Sequence, residues 1–106
     1  MVSKLLSDKT SLRGIQQYVV KVCAERGFAN DPVNKMILLT EEVGELAKAF
    51  RKKRGMKFSA TTTQTELEEE IADVLITLLG FANTLDIDVY DAFVAKEEEN
   101  RKRVWQ

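Results

Sequence analysis

The stretch Ile71-Ala72-Asp73-Val74-Leu75-Ile76-Thr77-Leu78-Leu79-Gly80-Phe81-Ala82 decides the fold. Wound at about 100° per residue, it is apolar on nearly every side. A helix of that kind is buried all round, so the sequence predicts that other helices surround it. Working outward, one proline and five glycines interrupt 106 residues, and the apolar positions recur at helical rather than alternating spacing. A first helix is expected from about Ser11 to Arg26, with Leu12, Ile15, Val19, Val22 and Cys23 on one face and Gly27 placed to end it. A second starts with Asp31 as N-cap and Pro32 at the first helical position. It runs to about Lys53 on a stripe of Met36, Leu39, Val43, Leu46 and Phe50. Gly55 to Thr63 reads as a surface loop carrying Phe58. Thr65 with Glu68 three residues on resembles a capping box that opens the central helix, which then runs to about Thr84. Asp88 with Asp91 opens a last helix to about Val104. The expectation is an all-α, four-helix bundle in a single domain over residues 1–106.

Composition narrows the chemistry. The chain holds 16 Lys plus Arg against 17 Asp plus Glu, a net charge of -1, which disfavours nucleic acid as a partner. Histidine is absent, which excludes His-based zinc sites and the Ser-His-Asp and Cys-His nucleophile systems. The lone Cys23 excludes an intrachain disulfide and a thiolate cluster. No apolar run approaches a membrane span, and Met1-Val2-Ser3-Lys4-Leu5 carries no signal-peptide core, so a cytoplasmic protein without a membrane partner is expected. What remains is chemistry by carboxylates, cations and metal ions.

Carboxylates are placed for it. Glu42 and Glu45 are spaced i, i+3 on the second helix, and Glu70 and Asp73 repeat that spacing on the third. Asp73 interrupts an apolar run, where burial is costly without a partner. No Lys or Arg occurs between Glu66 and Val94 to supply one. If the two helices lie side by side, four acids converge, and a hard cation such as Mg²⁺ or Mn²⁺ takes oxygen ligands of this kind. Glu41, Glu42 and Glu45 also fall in a sector of about 100° opposite the apolar stripe, as a solvated face would place them. Spacing alone leaves both readings open.

Glu41-Glu42-Val43-Gly44-Glu45, 24 intervening residues, then Glu70-Ile71-Ala72-Asp73 resembles the paired EExxE and ExxD motifs of the MazG-type, all-α nucleoside triphosphate pyrophosphohydrolases. The similarity spans about Leu12 to Trp105. It implies Mg²⁺-dependent hydrolysis of a nucleoside triphosphate, ribo or deoxy, to the monophosphate and pyrophosphate, in the manner of nucleotide-pool house-cleaning. Carried over by position, Glu42, Glu45, Glu70 and Asp73 match the metal ligands. Glu41 matches the first acid of the motif and takes a catalytic, water-orienting part. On the last helix Lys96, Asn100 and Arg103 share a sector of about 60°. By spacing they are a charged face suited to a helix C-terminus; by resemblance they contact the triphosphate. The resemblance also implies a homodimer or homotetramer, and the apolar circumference of the third helix independently calls for a partner subunit to complete the bundle. Two other readings stand beside the enzyme: a catalytically silent oligomerisation module with solvated acids, and a nucleotide or metal sensor without turnover.

Overall fold

The structure of the chain, a computed structural model, describes residues 11–27, 31–53 and 63–103. These form four helices and no strand: α1 (Leu12–Glu25), α2 (Pro32–Lys53), α3 (Gln64–Thr84) and α4 (Val89–Lys102). The connection expected from Gly55 lies outside the described residues up to position 62, as do Phe28, Phe58, Val104 and Trp105.

Each start is explained by a local hydrogen bond to an otherwise unpaired helix amide. The Gly14 amide donates to Ser11 Oγ at 2.9 Å, and the Val33 amide donates to Asp31 Oδ1 at 3.0 Å. Asp88 caps α4 by accepting from the Asp91 amide at 2.9 Å. At α3 the capping box is Thr63 with Glu66, two residues earlier than the expected Thr65 and Glu68. Thr63 Oγ1 accepts from the Glu66 amide at 3.1 Å, and the Thr63 amide donates back to Glu66 Oε2 at 3.2 Å. Both pairs satisfy the T-x-x-E pattern, and the earlier one wins by adding helix to the N-terminus. Gly27 closes α1 at φ +68°, in the left-handed region where a side chain is strained.

The core lies where α1 crosses the C-terminal half of α3. Val19, Val22, Leu79 and Ala82 are buried there, Leu79 completely. The longest packed seam is between α2 and α3. Along the middle of α2 the less exposed positions are Lys35, Leu39, Glu42, Leu46 and Ala49, a stripe rotated by about 60° from the expected Met36/Leu39/Val43/Leu46/Phe50 face. The rotation moves Glu42 into the seam and leaves Met36, Val43 and Phe50 exposed. The central helix also departs from expectation. Its last turns hold buried Leu79 and Ala82, but Ile71, Leu75, Ile76 and Leu78 are 40% exposed or more, since α1 and α2 together leave part of its circumference uncovered. Asp73 is likewise exposed rather than embedded.

Candidate metal centre

The α2–α3 seam brings together residues 28 positions apart or more. Glu42 comes from α2, and Glu70 and Asp73 from successive turns of α3, so that one carboxylate oxygen of each lies within 4.8 Å of the others. The two glutamates are half-buried and the aspartate is exposed, leaving the cluster closed by the helices on one side and open on the other. The backbone beneath Asp73 is met by Thr77 Oγ1, which donates to the Asp73 carbonyl at 2.9 Å and the Val74 carbonyl at 3.0 Å.

Three like charges at this separation repel. Glu42 bears the effect, its carboxyl held above the ordinary value of 4.5. Desolvation between the helices is the first cause, followed by the charges of Asp73, Glu70, Glu45 and Glu41. Glu45, the fourth expected ligand, is exposed and outside the group of three, as is Glu41, although both charges reach Glu42. The donor set fits a hard divalent cation. Oxygens sharing an octahedral ion at about 2.1 Å sit roughly 3 to 4 Å apart, a separation that small side-chain rotations supply from the observed arrangement.

The expected phosphate-contacting residues lie elsewhere in the chain. Lys96 is exposed and Asn100 half-buried on α4, with Arg103 exposed at its C-cap; the helix packs mainly on α1 rather than on the helices bearing the carboxylates. A single chain therefore presents the acidic cluster and the three expected phosphate-contacting residues on separate elements. Composition and motif gave no notice of two buried polar side chains, Lys35 and Gln16. Lys35 lies over Gly80, and its Nζ approaches Cys23 Sγ at 3.8 Å. It borders an open groove of about 590 Å³ that also touches Gln17, Val20, Cys23, Asp86 and Ile87. The signal for Lys35 was its spacing of seven from Glu42, which places both on one helix stripe.

Residues 31–105 match the MazG nucleotide pyrophosphohydrolase domain, a span that contains all three clustered carboxylates. The chain belongs to the MazG nucleotide pyrophosphohydrolase family. The chain is also similar to curated proteins at two distances. YpjD of Bacillus subtilis, an uncharacterized protein, is 40% identical over 90 residues, covering 82% of this chain and 79% of that protein. Its crystal structure superposes with a TM-score of 0.77 at 33% identity, over 93% of this chain and 100% of that one. The mouse dCTP pyrophosphatase 1 is 32% identical over 103 residues, and the human protein of that name is equally similar. This chain spans 61% of the length of either. Membership of the MazG family makes it a hydrolase of nucleotide phosphoric anhydrides, with the all-α fold expected from the sequence.

Proposed function

We propose that the chain hydrolyses a nucleoside triphosphate between its α- and β-phosphates, releasing the monophosphate and pyrophosphate, with Mg²⁺ held by Glu42, Glu70 and Asp73. The observation that carries this reading is the convergence of three carboxylates from two helices within 4.8 Å in a MazG domain. Glu45, one turn from Glu42 on α2, would serve as a further ligand, and Mn²⁺ would substitute for Mg²⁺. Bound there, the ion neutralises phosphate oxygens and lowers the pKa of water. The protein supplies the rest. Glu41 orients the attacking water and takes its proton, since the chain has no histidine to do so. The new bond forms at the α-phosphorus as the bond to the bridging oxygen breaks, and the electron pair leaves with pyrophosphate. Lys96, Asn100 and Arg103 hold the phosphate chain in line. The relatives named dCTP pyrophosphatase make deoxycytidine triphosphate the first substrate to try.

The working unit is a homodimer, or a tetramer of paired dimers, acting on the cytoplasmic nucleotide pool. Val33, Met36, Ile37, Val43 and Phe50 make one exposed apolar face along α2, and Ile71, Leu75 and Leu78 another along α3. Faces of this extent are covered in a stable protein, and a second copy brings a matching face by symmetry. Among the described residues no helix is long and apolar enough to cross a membrane.

The test is product analysis over ribo- and deoxyribonucleoside triphosphates, with Mg²⁺ and with EDTA, alongside Asp73→Asn. Pyrophosphate release that needs Mg²⁺ and is lost in the variant is the expected result. Orthophosphate release moves the attack to the γ-phosphorus and overturns the reading. A folded oligomer that yields neither product leaves the silent module or the sensor in its place.

A further inference from the structure

Helix α4 has no buried residue, and its large side chains Tyr90 and Phe93 are 47% and 64% exposed. Apolar burial within the chain therefore does little to fix its direction. Its attachment is polar and centres on one side chain of α1. Gln16 is 6% exposed. Its Nε2 donates to Asn83 Oδ1 at 2.9 Å and to the Ile87 carbonyl at 2.7 Å, while its Oε1 accepts from the Val89 amide at 2.9 Å. Asn83 Nδ2 donates back to the Gln16 carbonyl at 3.4 Å. One amide thus joins the last turn of α3, the corner and the first residue of α4. The two backbone partners fix which way round it sits, because a flipped amide would face oxygen to the Ile87 carbonyl and NH₂ to the Val89 amide. Arg13 adds pairs with Asp88 and Asp91 at 2.7 and 2.8 Å, but these are solvent-exposed and screened.

We infer that Gln16 is a positioning residue for the substrate: by holding the start of α4 it sets where Lys96, Asn100 and Arg103 meet the triphosphate, without touching it. This rests on the phosphate-contacting part given to those residues under Proposed function. The lever is long. Lys96 lies about 10 Å along the helix from Val89 and Arg103 about 21 Å, so a tilt of roughly 10° at the corner displaces Arg103 by about 4 Å. A contact geometry that tolerates about 1 Å does not survive that.

The experiment compares wild type, Gln16→Leu and Gln16→Glu by three measurements: amide hydrogen exchange, calorimetric binding of Mg²⁺ alone, and binding of inorganic triphosphate in the presence of Mg²⁺. Gln16→Glu keeps the acceptor for the Val89 amide and loses both donors, so it serves if the leucine variant does not fold. The expected result is exchange faster by about tenfold or more in α4 with α2 unchanged, Mg²⁺ binding within twofold of wild type, and triphosphate binding weaker by about tenfold. In turnover, KM rises by a similar factor and kcat changes less than threefold. The losses from Gln16→Leu and Lys96→Ala are also non-additive, since both act through one contact. Unchanged triphosphate binding in a folded variant overturns the inference. So does a parallel loss of Mg²⁺ and triphosphate binding with faster exchange throughout, which marks a merely structural residue. A wild type that neither binds triphosphate nor releases pyrophosphate instead overturns the hydrolase reading, and the substrate role of Gln16 with it.

Discussion

The two halves of α3 are held by different physics. Toward its C-terminus Leu79 and Ala82 are buried against α1 and Asn83 is clasped by Gln16. Toward its N-terminus Glu70 and Asp73 face Glu42 beside exposed Ile71 and Leu75. Stability is concentrated at the crossing with α1, and the candidate metal centre lies where packing within one chain is thin and like charges meet. The difference teaches that the carboxylates are assembled against the preference of the fold, by helices anchored elsewhere.

The comparison breaks most visibly at the crossing. Leu79→Ala removes a fully buried side chain and costs about 2–5 kcal/mol of unfolding free energy by denaturant titration, whereas Ile71→Ala, at an exposed site in the same helix, costs under about 1 kcal/mol at dilutions that keep the chain monomeric. At the other end, Asp73→Asn lowers pyrophosphate release by on the order of 100-fold or more while the melting temperature in EDTA stays level or rises. A large loss of stability there would place structural weight on the cluster. Between the halves in size is Thr63→Ala, which removes the α3 cap and costs about 1 kcal/mol, with metal affinity following because Glu70 and Asp73 ride on that helix.

The smallest effect separates the halves by sign. The folded-state pKa of Glu42 is raised, so the folded chain holds its proton more tightly than the unfolded one. Its destabilising influence is full above that raised pKa and fades as pH falls through it. In EDTA the wild type therefore gains stability relative to Glu42→Gln as pH falls from neutral through the raised pKa toward the ordinary 4.5. Asp88, lowered first by its hydrogen bond from Arg13, behaves oppositely. Its contribution is present above the ordinary value of 3.8 and lost as pH falls from there through the lowered pKa. Thermal melts of Glu42→Gln and Asp88→Asn across this range check both signs.

Much of this was legible in the sequence because helix ends and paired acids are local signals. Ser11, Gly27, Asp31, Pro32 and Asp88 stand at the expected boundaries. Three of the four acids picked out by spacing, Glu42, Glu70 and Asp73, come together, while Glu45 stays outside the group. What was not legible depends on tertiary choice. The apolar stripe of α2 is wider than one partner can cover, so pattern alone could not say that the seam within the chain lies on Leu39, Glu42 and Leu46, with Met36, Val43 and Phe50 facing outward. The same ambiguity made Asp73 look embedded. Gln16 carried no signal at all, since its partners lie 67 or more residues away.

The crowding of Glu42, Glu70 and Asp73 has a consequence for the lifetime of the protein. A fold that carries mutually repelling acids is weakened until a cation joins them, and the binding free energy of that cation is then added to the folded state alone. On the function proposed above, removing divalent ions would act twice, stopping turnover and exposing the chain more often to proteolysis. The abundance of intact protein would then record the metal supply in its surroundings.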